Sequence, residues 1–349
     1  MDLDAVGGWR GVLAALGARH DLEPAQAAAA LSTILSGGAT DAQIGGFLVG
    51  LRAKGETAEE VTAMVGSMLA AAQPLDLGDL QRSAVDLVGT GGSKLRQDRA
   101  FNISTTACFV VAGAGVPVCK HGNRKASSSS GSTDVLEALG VAVELDGPAV
   151  ARCVREAGIG FAFARVFHPS MRHAGPVRAE LGVPTVFNVL GPLSHPGRVT
   201  RQVIGVADPS LAPLVIDTLR SRGATRAMVV HGSDGLDELT LTGPSEVHEL
   251  RDGEVSVYDV FPQRLGLATV IVDDLGVGAP EDNAEVVREI LGGGGGARRD
   301  VVLLNAAAGL VVAGVADDLA AGLELAAGSV DSGAAAGALS RLVEVSNRV

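Results

Sequence analysis

The sequence predicts an α/β protein: a small N-terminal α-helical domain, then a large α/β domain with a mostly parallel central sheet flanked by helices. Three observations carry this expectation. Apolar residues between positions 9 and 71 recur at spacings of three, four and seven, the period of helices that bury one face. Further on, short β-branched runs alternate with helical stretches, the pattern of strands joined by crossover helices. At 349 residues, 47% hydrophobic and 19% charged, the chain is long and apolar enough to bury one large core or two ordinary ones.

In the helical opening, Leu13, Leu16 and the runs 27–34, 44–51 and 61–68 set the apolar stripes. Gly37-Gly38 and Lys54-Gly55 are stop signals, and Thr40-Asp41 and Thr57 are start signals, so about four helices are expected. Residues 73–81, with Pro74 and Gly78, read as a hinge. The predicted domains are therefore 1–76, with a return segment near 172–194, and 79–349. Strands are expected at 84–88, 117–119, 161–164, 202–206 and 227–230. Asp252-Gly253 should turn a hairpin between 247–250 and 255–258. A helix is expected over 134–139, and helices return from Asn283, with residues 292–296 as a glycine connection between two of them.

A net charge of -12 disfavours nucleic acid and anionic membranes as partners, so an anionic substrate must meet a local cluster of cations. Aromatic residues, at 3%, are too few for base- or sugar-stacking surfaces. Cys108, Cys119 and Cys153 lie in apolar runs without CxxC spacing, as buried thiols of a cytoplasmic protein do. The first eight residues lack a basic n-region, and the longest apolar stretch, 106–119, is too short to span a bilayer.

Three motifs carry chemistry. Gly89-Thr90-Gly91-Gly92-Ser93 directly follows the first strand, where glycines let backbone N–H groups approach phosphate oxygens. Alone it reads equally well as a tight β-to-α turn. Asn102-Ile103-Ser104-Thr105 precedes the apolar run 107–112, with Ser104 or Thr105 as the expected N-cap, so a helix N-terminus points at the same place. Lys120-His121-Gly122-Asn123-Arg124-Lys125, followed by the serine run 127–130 and Ser132, puts three cations into a predicted loop at a strand's end. Open α/β sheets bind phosphate at such places. Asp237-Glu238 supplies two hard oxygen ligands, although alone it reads as a solvated turn.

The segments VGTGGS, FNIST, KHGNRKASSSSGSTDVLEALG, IGFAFARVFHPSMRHAGPVRAELGVPTVFNVLGPL and HGSDGLDELT resemble, in order and wording, the anthranilate phosphoribosyltransferase family. The resemblance extends into the helical opening. It implies that Gly89, Thr90, Gly91, Gly92, Ser93, Asn102, Ser104, Thr105, Lys120, Gly122, Arg124, Ser128 and Ser132 hold the phosphates and ribose of phosphoribosyl pyrophosphate (PRPP). Ser104, Asp237 and Glu238 would serve Mg²⁺. His121, Asn123, His168, Met171, Arg178 and Gly191 would line the anthranilate site, with Arg178 matching the carboxylate through its planar fork. Lys120, Asn123 and Arg178 would act most directly on the reacting groups, and the helical opening would form a homodimer. His20, His173, His195 and His248 are read as structural or surface residues.

The implied reaction displaces pyrophosphate from the ribose C1 with inversion, through an oxocarbenium-like centre. The neutral aryl amine needs no strong base, so positioning and electrostatics dominate. One departure stands out: the family's glycine loop ends in Asp where this chain has Ser93, and the following segment, 94–101, is longer and carries Lys94, Arg96 and Arg99. Those cations are expected to contact or screen the pyrophosphate. Three alternatives stay open on sequence: a paralogue with another aromatic acceptor, a pyrimidine nucleoside phosphorylase and a non-catalytic ligand-binding relative.

Overall fold

The computed structural model describes residues 2–91, 101–124, 131–276 and 279–348. Within these residues the helical opening comprises Gly8–Gly17 (α1), Pro24–Leu35 (α2), Asp41–Lys54 (α3) and Ala58–Ala70 (α4). The two threonine start signals form capping boxes. The Thr40 and Thr57 hydroxyls accept the N–H groups of Gln43 and Glu60, whose side chains accept the threonine N–H groups in return. Gly55, at φ 91, stops α3 in a conformation that a side chain would strain. Glu60 is fully buried and also accepts from Leu22 N–H at 2.7 Å and Lys54 Nζ at 3.0 Å. One carboxylate thus ties the α1–α2 connection to the end of α3.

The second unit is a sheet of seven described strands: Val85–Gly89 (β1), Val118–Gly122 (β2), Ile159–Phe163 (β3), Arg201–Gly205 (β4), Arg226–Gly232 (β5), Ser245–Arg251 (β6) and Glu254–Val260 (β7). Their order is β3-β2-β1-β4-β5-β6-β7. The first five are parallel, and β6 and β7 add an antiparallel edge. Asp252 and Gly253, at φ 53 and 84, make the left-handed turn of the expected hairpin. The helices are Ile103–Gly113 (α5), Ser132–Ala138 (α6), Gly147–Ala157 (α7), Ala164–Phe167 (α8), Gly175–Leu181 (α9), Val186–Leu193 (α10), Ala212–Ser221 (α11), Pro280–Leu291 (α12), Ala297–Ala313 (α13), Leu319–Asp331 (α14) and Ala334–Ser346 (α15).

Alternation along the strands divides the interior into two cores. Val203, Met228 and Val230 face a core shared with α5, α7, α13 and α15, whereas Ile204, Ala227 and Val229 face one shared with α11 and the helical opening. Val177 of α9 and Val186, Phe187 and Leu190 of α10 belong to that second core. Fully buried Leu31, Ile34, Phe47 and Leu48 each contribute roughly 1.5–3 kcal/mol to it. The packing places α9 and α10 beside the carboxyl end of the sheet.

Two expectations are corrected here. Strand β2 runs on through Lys120, His121 and Gly122, which were expected in a loop, because the Lys120 ammonium bonds to the Leu87 carbonyl and Ser104 Oγ and the His121 N–H to Asp86 inside the sheet. Helix α5 starts at Ile103 with Asn102 as N-cap, so Ser104 and Thr105 lie within its first turn instead of capping it. Among the described residues no helix is long and apolar enough to cross a membrane, and the three cysteines are free and buried.

Candidate active site

The chain leaves β1 through α5 to β2 on one side, while β4 lies on β1's other side. A crevice at the carboxyl ends of β1 and β4 is the expected ligand position in such a sheet. Both strands end in glycine. A Cβ on Gly89 would lie 2.0 Å from Asp237 Oδ2, and one on Gly205 would lie 1.7 Å from the Asp237 carbonyl oxygen. The two glycines therefore let the acidic turn sit directly on the sheet edge. Gly205 escaped the sequence reading, although its place after an apolar strand matches that of Gly89.

Around this point the groups expected to receive the donor are mostly backbone. Thr90 N–H bonds to Gly205 O at 2.8 Å, and Gly91, at φ 68, donates its N–H to Asp237 Oδ2 at 2.9 Å. In the first turn of α5, Ser104 donates its N–H to Glu238 Oε1 at 3.3 Å. The two acids thus meet the two groups of amides expected to receive phosphate. Asn283 of α12 accepts the Asn102 N–H at 3.2 Å, holding the helix start from outside. Thr105 is buried beside these groups.

Lys120 is 2% exposed, and its Nζ donates to the Leu87 carbonyl and, at 3.3 Å, to Ser104 Oγ. It therefore bridges β2, β1 and the start of α5. Behind it lies Asp86, fully buried, which accepts His121 N–H at 3.1 Å and Gln202 Nε2 at 3.2 Å. Burial pushes the Asp86 carboxyl above the usual range, opposed by the nearby His195 and Lys120. His195 accepts Gly197 N–H at Nδ1 and donates from Nε2 to Cys119 O at 2.8 Å, so it is a neutral structural residue. A lone acid in the apolar run VDLVG was the signal for Asp86 in the sequence.

Beside the end of β1 lies a cavity of about 610 Å³. His121, Asn123, His168, Met171, Arg178 and Gly191 all line it, and so do Gly89, Thr90 and Gly122 from the donor motifs. Phe187, Asn188, Arg165 and Arg172 also line it, none of them expected from sequence. His121 Nδ1 donates to Gly191 O at 3.1 Å, which leaves Nε2 as an acceptor; that atom and His168 Nε2 are buried without a hydrogen-bond partner. Burial pushes His121 well below the usual imidazole range, helped by His168, and pushes His168 down to about 4, so both are neutral near pH 7. The Arg178 guanidinium lies 5.1 Å from the Phe187 ring centre, and burial lowers its pKa. It makes no ion pair among the described residues.

Arg124 and Ser132 stand apart. The guanidinium of Arg124 pairs with Asp134 at 3.2 Å and grips both oxygens of Glu137, so its charge braces α6 instead of facing the cavity. Ser132 Oγ donates to Asn123 O at 3.2 Å, closing the connection that leaves β2. Gly92, Ser93, Ser128 and the cations Lys94, Arg96 and Arg99 lie outside the described residues.

Residues 81–336 match the glycosyl transferase family a/b domain, and residues 10–72 match the glycosyl transferase family helical bundle domain. The anthranilate phosphoribosyltransferase of Arthrobacter sp. is 51% identical over 96% of this chain and 95% of its own length. The chain belongs to the anthranilate phosphoribosyltransferase family. The crystal structure of the Thermus thermophilus enzyme superposes with a TM-score of 0.90 at 41% identity, covering 96% of this chain and 99% of that one. The Saccharomyces cerevisiae enzyme, solved in complex with PRPP and Mg, gives 0.88 at 26% identity and 98% coverage of each chain. The fold and the glycosyltransferase class of this protein follow from that membership.

Proposed function

We propose that this chain transfers the 5-phosphoribosyl group of PRPP to the amine of anthranilate, releasing pyrophosphate, as in tryptophan biosynthesis. One observation carries the reading. The ends of β1 and β2, which hold the donor motifs, line the same cavity as Arg178 and two neutral histidines, His121 at the end of β2 and His168. Backbone N–H groups of the glycine turn and of α5, with Lys120 beside them, receive the phosphates. Arg178, free of carboxylate partners, pairs with the anthranilate carboxylate and fixes its ring between Met171 and Phe187. The histidine Nε2 atoms accept from the amine and keep its lone pair aimed at the ribose C1, and Asn123 holds the ribose side of the cavity. No side chain has to remove a proton before attack.

The donor set fits Mg²⁺. Ser104 Oγ and the carboxylates of Asp237 and Glu238 are hard oxygens, and both acids are buried at the edge of the crevice. Among the described residues no cluster of three or more His, Cys, Asp and Glu forms an all-protein cage. Mg²⁺ suits such a site, since it takes one or two carboxylates and completes its shell with phosphates and water. When bound, the ion neutralises charge on the departing pyrophosphate. A cytoplasmic homodimer is part of the same reading, supported by exposed Val49 on α3 and by the free buried thiols. Sedimentation of the purified chain tests the dimer.

Loss of anthranilate fluorescence in the presence of PRPP and Mg²⁺ tests the activity. The expected result is turnover that stops when EDTA removes the metal. Phosphorolysis of thymidine or uridine instead, or no turnover at all, would overturn the reading.

A further inference from the structure

Residues 301–313 of α13 are buried throughout, and all but Asn305 are apolar or glycine. A buried amide in such a helix is costly unless each of its polar atoms is bonded. Asn305 is 2% exposed and fully bonded. Its Oδ1 accepts Leu239 N–H at 3.0 Å, while its Nδ2 donates to Leu239 O at 2.9 Å and to Val301 O at 2.9 Å. The amide therefore clasps both faces of a single residue in the connection after β5, directly after Asp237 and Glu238. The opposite side of the same turn rests on Gly205, where a Cβ would lie 1.7 Å from Asp237 O. The hydroxyls of Thr240 and Thr242 donate to Asp234 Oδ2 at 2.6 and 2.7 Å, which closes the turn on itself.

We propose that Asn305 is a positioning residue for the reaction, fixing from behind the turn that aims Asp237 and Glu238 at the metal and pyrophosphate. The inference rests on the metal reading given above. Asn305 is absent from the acceptor cavity lining, so its loss should act on metal and donor and leave anthranilate alone. Hydrogen-bonded partners behind metal ligands typically alter affinity by about 10- to 100-fold.

The test compares the wild-type chain with Asn305→Asp, which keeps the acceptor toward Leu239 N–H, Asn305→Leu, which loses all three bonds, and Gly205→Ala, which pushes the turn from its other side. Thermal unfolding is followed with PRPP across a Mg²⁺ titration, alongside steady-state kinetics and circular dichroism. The expected result is a Mg²⁺ midpoint for donor-induced stabilisation that rises about tenfold in Asn305→Asp and further in Asn305→Leu, and that also rises in Gly205→Ala. The anthranilate KM should stay within about twofold of wild type. Unchanged midpoints with a lowered unliganded Tm would assign Asn305 to fold stability and overturn the proposal. Failure of all three variants to fold would overturn it as well. Wild-type turnover with anthranilate separately decides the proposed function, and a wild-type stabilisation by PRPP that ignores Mg²⁺ would remove the metal reading and this inference together.

Discussion

The wall proposed to take the acceptor is made of side chains carried by α9, α10, the end of β2 and the connection from α8 to α9, whereas the proposed donor wall is made of chain that has just left a strand or is entering a helix. On the acceptor side, Arg178 rests on Phe187 and His121 is fixed by Gly191 O, so each group has its own support. On the donor side the active atoms are backbone N–H groups of Gly91 and Ser104, already engaged by Asp237 and Glu238. Recognition through side chains can be altered one residue at a time. Recognition through backbone depends on what lets the chain approach and what holds it there.

This contrast predicts unequal effects of substitution. The largest belongs to Gly89→Ala, whose added methyl would occupy the place of the Asp237 carboxylate. Turnover should fall by at least about 100-fold, the scale for lost transition-state electrostatics, with the fold retained in circular dichroism. Near-normal kinetics would break the account of the donor wall. Next, Arg178→Ala should raise the anthranilate KM by about 30- to 100-fold, the value of a charged hydrogen-bonded pair, while the PRPP KM stays put. Equal changes in both constants would move Arg178 off the acceptor wall.

A smaller effect should appear as pH is lowered. His168 has a folded-state pKa of about 4, below its unfolded value, because it is buried. The unfolded chain then binds the extra proton between pH 6.5 and 4, so this contribution to stability is complete above that window and is lost as pH falls through it. His121 adds to the trend, and Asp86, whose pKa is raised by burial, opposes it. Replacing His168 with Asn should flatten the slope of unfolding free energy by up to about 1.4 kcal/mol per pH unit, read by urea titration at several pH values. An unaltered slope would mean that His168 titrates normally. The smallest effect is expected for Arg124→Gln, because the brace to α6 is partly exposed: about 1 kcal/mol or less of stability and about twofold or less in either KM. A large rise in the PRPP KM would return Arg124 to the donor wall.

The same division explains what the sequence made legible. Periodicity and caps located the four opening helices, and short β-branched runs located the strands within a few residues, because both signals are local. Through resemblance the sequence named Arg178 and the two histidines, which line one cavity. The strand character of Lys120 and His121 was not legible, since polar residues read as loop until Leu87 O, for the Lys120 ammonium, and the buried Asp86, for the His121 N–H, supply partners from another strand. The ion pairs of Arg124 were not legible for a related reason, because its carboxylate partners lie in the next helix and nothing in the motif reveals them. Asn283 and Asn305 were silent because they bond to residues 181 and 66 positions distant.

The most direct measurement is a crystal structure of this chain with PRPP, Mg²⁺ and a non-reactive anthranilate analogue. The account predicts pyrophosphate against the N–H groups of Gly91 and Ser104, the metal beside Asp237 and Glu238, and the analogue's carboxylate on Arg178. A donor bound away from the ends of β1 and β4, or an analogue that leaves Arg178 unpaired, would contradict it.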